Sequence, residues 1–301
     1  MRILLTGASG LIGKELTDKL ILSGHQLNVL SRSKKANIQN ISYFQWDPEH
    51  GIIDKNAFHN VESIINLAGA NVGEKRWDKE FKKEILDSRT LSTRLLLDNI
   101  TVYGSTVKTF INASAIGIYG NVDKEQPMVE YDKQGDDFLA KVVKAWEDEL
   151  FNSSLLGIRK VALRLGIVLS EKGGALPKMK MPIKYGVGAP LATGNQFISW
   201  VDIVDVVKAF TFALENEQIS GAYNVVSPNP VTNSVLTHKI AKMLNRPILV
   251  PNIPSFVLKL MLGEFANSVI GGVKVSPKKL LDAGFKFNFP DLEKSLEANI
   301  K

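Results

Sequence analysis

The chain of 301 residues contains no cysteine. Disulfides, thiol nucleophiles and zinc–thiolate sites are therefore excluded together. Its histidines, His25, His50, His59 and His238, are scattered without ligand spacing, and no metal centre is expected. No apolar run reaches the length that a bilayer requires, and Arg2 leads directly into the first apolar segment. Neither a membrane span nor a secretory leader is expected, which points to a cytoplasmic location. Lys and Arg exceed Asp and Glu by only 37 to 31, and the basic residues are spread out without interleaved aromatics. Nucleic acid is not an expected partner. What is present is a 45% hydrophobic composition, enough for a large core in one main domain plus a smaller lobe. The partners expected are a small-molecule substrate and, at most, a second copy: a monomer or a homodimer.

Directly behind the apolar run Ile3-Leu4-Leu5 stands Gly7-Ala8-Ser9-Gly10-Leu11-Ile12-Gly13. Glycines at three-residue spacing allow a tight turn, a close approach of backbone to ligand, and close packing of the following helix on the strand. The predicted helix Leu11–Leu22 would then aim its free N–H groups and dipole at a pyrophosphate. Gly7, Ser9, Gly10, Leu11, Ile12 and Gly13 are the candidate phosphate-binding residues. A glycine turn that merely joins strand to helix is the competing reading.

A second strand over 26–30 completes a βαβ unit of the length that dinucleotide binding requires. An NAD-selective site places an acidic residue after this strand to accept the ribose 2′-hydroxyl. This chain has Ser31-Arg32-Ser33-Lys34-Lys35 there. A guanidinium and lysines suit the 2′-phosphate of NADP, so Arg32 and Ser33 are read as selecting NADP, with NAD less favoured. The alternative is a solvated run of loop charges.

Strands and helices continue to alternate, the signature of a doubly wound parallel sheet. A third strand is predicted over 41–46, with Asp47 beside the adenine position, and a fourth over 61–67. The fourth runs into Ala68 and Gly69, small residues that fit close approach to the middle of the cofactor. A long helix over 78–99, a fifth strand over 108–113 and a sixth over 161–165 follow. Chemistry belongs at the carboxyl ends of these strands, where strand order reverses. The fifth ends there in Asn112-Ala113-Ser114-Ala115-Ile116-Gly117-Ile118-Tyr119-Gly120. Ser114 is a candidate for orienting a substrate oxygen. Tyr119 is a candidate proton carrier if a cationic neighbour lowers its pKa.

With these motifs the chain resembles the extended, sugar-nucleotide-epimerase-like branch of the short-chain dehydrogenase/reductase superfamily. More narrowly, it is similar to an epimerase-like family that often carries a cell-division-inhibitor label. The resemblance also rests on Leu163-Arg164-Leu165-Gly166, on 197–205, on Gly221-Ala222-Tyr223-Asn224-Val225, and on a C-terminal run over 262–285 typical of the narrower family. It implies a Rossmann α/β fold: an NADP-binding domain over 1–165, completed by about 202–226, with a smaller substrate lobe from 167–201 and 227–301. It also implies an oxidoreductase or nucleotide-sugar-epimerase-like activity.

The superfamily's catalytic couple, a Tyr and a Lys four residues later on one helix, is missing. The corresponding stretch reads Asp137-Phe138-Leu139-Ala140-Lys141-Val142-Val143-Lys144-Ala145-Trp146-Glu147, with Phe138 lacking a hydroxyl and Val142 or Val143 at the lysine position. Ser114, Tyr119 and Lys141 remain as proton-handling candidates. A cofactor-binding protein without turnover is therefore the second reading. Residues 173–196, rich in Gly, Pro and Lys, are expected to form a loop-rich lid whose Lys178, Lys180 and Lys184 suit an anionic substrate; surface solvation of these lysines is the alternative.

Overall fold

Short apolar runs separated by helical segments set the architecture, and the computed structural model describes residues 1–122, 125–155 and 157–300. The first part of the chain forms β1 (Arg2–Leu5), α1 (Leu11–Leu22), β2 (Gln26–Ser31) and β3 (Ile41–Asp47), with the short β4 (Ile52–Ile53) folded back antiparallel on β3. The next part supplies β5 (Ser63–Asn66), α2 (Lys79–Tyr103), β6 (Thr109–Ala115), α3 (Phe138–Phe151) and β7 (Arg159–Leu165). β8 (Ile167–Leu169), α4 (Ala175–Lys184), β9 (Phe197–Ile198) and β10 (Trp200–Asp202) lead through α5 (Ile203–Glu215) back into the main sheet as β11 (Gly221–Val225). β12 (Val231–Thr232), α6 (Asn233–Met243), α7 (Ser255–Leu262), α8 (Ala266–Ile270), α9 (Lys278–Asp282) and α10 (Leu292–Asn299) follow.

Among the described residues the main sheet has the order β11-β7-β6-β5-β1-β2-β3-β4. All its pairs are parallel except β3 with β4. From β1 the chain winds outward through β2 and β3, then returns to pair β5 on the other side of β1. The switch point therefore lies between β1 and β5, where the crevice of a doubly wound sheet opens.

Alternation along β1 explains the two helical layers, because successive strand side chains point to opposite faces. Ile3 and Leu5 join Leu16 and Leu20 of α1 and Val206 and Phe210 of α5 in one core. Leu4 faces the other way, with Leu96, Leu97 and Ile100 of α2. A third cluster unites Leu176 and Ile183 of α4, Trp200, Leu236 and Ile240 of α6, and Leu292 and Leu296 of α10.

Asp78 caps α2 by accepting from the Phe81 amide at 2.7 Å, and the helix runs four residues past the expected end at Asn99. The expected lid over 173–196 is not all loop. It contains the ten-residue α4, despite two prolines. Pro177 lies in the first turn, where a missing N–H is tolerated, and Pro182 falls near the helix end.

The C-terminal segment is tied to α5 through two buried carboxylates. Asp202 caps α5 at the Val204 amide, 2.8 Å away, and accepts from Ser295 Oγ at 2.6 Å and Asn299 Nδ2 at 2.9 Å. Asp205 accepts from the amides of Asn288 at 2.7 Å and Phe289 at 2.9 Å. Burial pushes the pKa of both above the usual carboxylate value, against the pull of these hydrogen bonds.

Candidate functional site

The turn from β1 into α1 can be built only from glycine at two positions. Gly7 has φ +67°, a left-handed conformation, and a Cβ there would stand 2.7 Å from the Leu67 carbonyl oxygen. A Cβ on Gly13 would lie 2.1 Å from the Gly7 oxygen, so this absence lets α1 seat itself on the turn. Gly10 is the N-cap and offers no side-chain acceptor. Its amide bonds the Gly7 carbonyl at 3.0 Å and its carbonyl accepts from Lys14. The amides of Leu11, Ile12 and Gly13 are left without an acceptor among the described residues, and Ser9 and Gly10 are exposed beside them. The cradle fits a pyrophosphate, since free helix-start amides and the dipole both favour an anion.

Buried polar side chains hold the loop that backs this turn. Thr6 Oγ1 donates to Asn66 Oδ1 at 2.6 Å and accepts from the amides of Leu67 at 3.0 Å and Ala68 at 3.1 Å. Asn66 Nδ2 donates to Asn112 Oδ1 at 2.8 Å and Thr93 Oγ1 at 3.0 Å. The ends of β1 and β5 and the middle of β6 are thus joined in one network, which rigidifies the crevice floor. Ala68 and Gly69 lie on the loop so fixed.

At the end of β2, Arg32 and Ser33 are exposed, and the Ser31 and Ser33 hydroxyls lie 3.4 Å apart. The ion pairs among the described residues include none made by Arg32, Lys34 or Lys35. Asp47, at the end of β3, meets His50 Nδ1 at 2.8 Å and the Glu49 amide at 3.1 Å. The hydrogen bond from His50 holds its pKa below the usual carboxylate value. The chain before α4 closes over the same turn: a Cβ on Gly174 would meet the Leu11 side chain at 3.2 Å, and Lys172 pairs with Glu15 at 2.6 Å. Two of the lysines expected to face a substrate already have partners, Lys178 at the Gly73 carbonyl and Lys180 at Glu171, each 2.8 Å away.

At the other end of the crevice the residues read as proton handlers have partners of their own. Ser114 is buried and its hydroxyl donates to Glu147 Oε1 at 2.6 Å. Arg164 meets the same carboxylate bidentately, Nε to Oε1 at 2.8 Å and Nη2 to Oε2 at 2.7 Å. Arg164 Nη1 also donates to the Tyr119 hydroxyl at 3.0 Å, and that hydroxyl donates to Asn224 Oδ1 at 2.8 Å. The cationic neighbour expected for Tyr119 is therefore present. Burial nevertheless outweighs it and pushes the tyrosine pKa up to about 12, away from the value a proton carrier needs. Lys141 is on the exposed side of α3, and the structure does not bring it together with Ser114 and Tyr119. Glu147 and Arg164 were missed as a pair. Their sequence signals were a charge behind Trp146 on an apolar helix face and a charge inside the run Leu163-Arg164-Leu165.

Where the superfamily's Tyr and Lys would stand, α3 presents a packed apolar face. Val142 joins Trp77, Phe81 and Ile85, with Phe138 and Leu139 against them. Val143 packs with Ile118 and Tyr119, and the Phe138 ring meets Trp77 edge-on at 5.0 Å.

A doubly wound sheet with a glycine cradle at its switch point, a polar floor across β1, β5 and β6, and a returning strand β11 defines an NAD(P)-binding protein of the extended short-chain dehydrogenase/reductase type. Residues 3–246 match the NAD dependent epimerase/dehydratase family, and 253–298 match a domain of unknown function, DUF1731. The chain belongs to that epimerase/dehydratase family. It is 37% identical to the epimerase family protein YfhF of Bacillus subtilis, over 98% of this chain and 97% of that protein. Identity to the epimerase family protein ML0860 of Mycobacterium leprae is 35%, over 98% of this chain and 94% of the relative. Among solved structures, the human epimerase family protein SDR39U1 (isoform 2), crystallised with NADPH, superposes with a TM-score of 0.88 at 31% identity. That likeness covers 100% of this chain and 99% of the human one. Among the described residues no helix is long and apolar enough to cross a membrane, and no group of three or more His, Asp or Glu could hold a metal.

Proposed function

We propose that the protein binds NADP(H) and exchanges hydride with a small polar, anionic substrate, as an oxidoreductase or a nucleotide-sugar-epimerase-like enzyme. The observation that carries this reading is the row of unpaired amides at Leu11, Ile12 and Gly13, with a basic rather than acidic segment at the end of β2. Gly7, Ser9, Gly10, Leu11, Ile12 and Gly13 hold the pyrophosphate, Ala68 and Gly69 back the middle of the cofactor, and Asp47 borders the adenine. Arg32 forks onto the 2′-phosphate beside Ser33. The NADPH in the human relative supports the same preference.

The bound dinucleotide would supply the hydride. The protein's part is to fix the two ligands at the switch point beneath the chain before α4. With Ser114 and Tyr119 held in the Glu147–Arg164 cluster, the proton comes from water or from the substrate's own acidic group. Fluorescence titration tests the cofactor: NADPH should saturate the site and NADH should bind more weakly. A complex with neither would remove the reading. The second reading, a cofactor-binding protein without turnover, is favoured by one observation, the apolar face of α3 from Phe138 to Val143. NADPH absorbance followed across a panel of carbonyls, including nucleotide-linked sugars and small phosphorylated ones, separates the two when paired with product analysis of the same sugars incubated with NADP, because an epimerase returns its hydride in each cycle and changes no absorbance. Oxidation of NADPH by any of them supports turnover.

A further inference from the structure

The surface carries one concentration of apolar side chains that neither the sheet nor the crevice uses. Of the ten most exposed large apolar side chains among the described residues, seven fall within 181–187 and 249–261. On α4, Met181 and Tyr185 point away from Leu176 and Ile183, which are buried with α6, and Val187 follows just past the helix. On α7, Phe256 and Leu260 stand one turn apart, opposite the buried Leu258, and Met261 is exposed beside them. Phe256 is 72% exposed and Tyr185 and Leu260 74%, so these side chains protrude and line no groove.

Two ties set the helices side by side. Lys178 Nζ, near the start of α4, donates to the Gly73 carbonyl at 2.8 Å, and a Cβ on Gly73 would stand 3.5 Å from Phe265 Cζ, just past α7. Beyond the other end of α4, the Ile253 amide donates to the Pro190 carbonyl at 2.9 Å and the Ala192 amide to the Ile253 carbonyl at 2.9 Å, just before α7. The start of α4 thus meets the end of α7, and the end of α4 meets the start of α7. Their outward sides form one face.

Charge says what this face meets. Residues 172–201 and 218–263 contain no Asp or Glu, although the chain has 31, and together they hold eight Lys and Arg. Lys184, beside Tyr185, and Lys259, between Phe256 and Leu260, make no ion pair among the described residues. The carboxylates that flank these stretches, Glu171 and Glu264, are taken by Lys180 at 2.8 Å and Lys82 at 2.7 Å. A second copy seated face to face would set the lysines against themselves, with no carboxylate to answer them. An anionic bilayer answers both features: its headgroups pair with the lysines, and its acyl boundary accepts protruding apolar groups without a matching shape. Because α7 has eight residues and no described helix is long and apolar enough to cross a membrane, such a contact lies on the surface and spans nothing.

We propose that the α4–α7 face docks on an anionic phospholipid bilayer, with Met181, Tyr185, Phe256 and Leu260 entering the headgroup boundary and Lys184 and Lys259 pairing with lipid phosphates. This docking is independent of dinucleotide binding. Flotation of the full chain tests it, with vesicles of phosphatidylcholine alone and vesicles in which about one-third is phosphatidylglycerol. The proteins compared are wild type, the pair Phe256→Ser and Leu260→Ser, the pair Lys184→Gln and Lys259→Gln, and Leu22→Ser, which trims a side chain 85% exposed at the end of α1. Melting curves confirm folding, and sedimentation without lipid reports self-association. Wild type and Leu22→Ser should float with the mixed vesicles, less so at high salt, and stay behind with phosphatidylcholine alone. Each double variant should bind the mixed vesicles about tenfold more weakly or worse, and Met181→Ser replaces the serine pair if that pair does not fold. Failure of the wild type to float with the mixed vesicles, or equal flotation of the folded serine variant, would overturn the proposal. A wild-type dimer that the serine pair breaks, with no flotation, would overturn it as well and give the face to a second copy.

Discussion

The two ends of the crevice follow opposite plans. At the start of α1 the amides of Leu11, Ile12 and Gly13 are left unpaired around glycines that cannot be replaced without collision. At the start of α3's neighbourhood, Ser114, Tyr119, Glu147, Arg164 and Asn224 close on one another, with hydrogen bonds of 2.6 to 3.0 Å. Groups left open mark where a ligand is received, whereas groups closed on each other mark what the fold uses for itself. On the reading proposed here the open end receives the cofactor, while the closed end holds β6, α3, β7 and β11 together.

Removing Glu147 tests this contrast most severely. Glu147→Ala strands the buried Arg164, and unfolding in urea should show a loss of about 3–5 kcal/mol with NADPH affinity of the folded fraction unchanged. A mild loss of stability with a large loss of affinity would break the comparison. At the open end, Gly13→Ala forces a Cβ to within 2.1 Å of the Gly7 oxygen. It should cost about 3 kcal/mol and abolish dinucleotide binding. Gly24→Ala is the control, because Gly24 has φ +81° but nothing within 4 Å of its missing Cβ, and only the left-handed backbone cost of about 1–2 kcal/mol applies.

Tyr119→Phe sharpens the closed end through pH. The variant loses two hydrogen bonds and should be about 1–2 kcal/mol less stable near neutrality. As pH rises from 10 toward 12, tyrosine in the unfolded chain releases its proton while folded Tyr119 keeps it. The wild type alone loses stability in that window, so the variant's deficit should shrink, by at most about 2–3 kcal/mol. Parallel pH profiles for the two proteins would count against the enclosed tyrosine. The smallest expected effect is at the rim: Arg32→Asp should weaken NADPH about tenfold, about 1.4 kcal/mol, and spare NADH. Equal loss of both would contradict the 2′-phosphate clamp.

The parts legible in the sequence are those governed by local rules. Period-two and period-3.6 patterning sets the strands and places α1 at Leu11–Leu22, and the glycine spacing marks the turn. The misread parts depend on long-range burial. Prolines at 177 and 182 suggested a loop, but Pro177 stands in the first turn, where its N–H is not needed, and at Pro182 the helix forgoes one hydrogen bond two residues before its end. Tyr119 has the cation that the sequence led one to expect, yet sequence gives no measure of how fully the sheet would enclose its ring. The Ser114–Glu147 and Arg164–Glu147 contacts join residues 33 and 17 positions apart, and no spacing rule reports them.

The anchoring of Asp202 and Asp205 has a consequence for how the molecule is made. Their partners, Asn288, Phe289, Ser295 and Asn299, are synthesised 83 to 97 residues after the carboxylates they meet. Until they emerge, two carboxylates beneath α5 stay hydrated and the helix cannot settle fully on the sheet. A nascent chain stalled short of these residues should therefore remain open at α5 and be cut there by protease, while α1 and its glycine cradle are already in place.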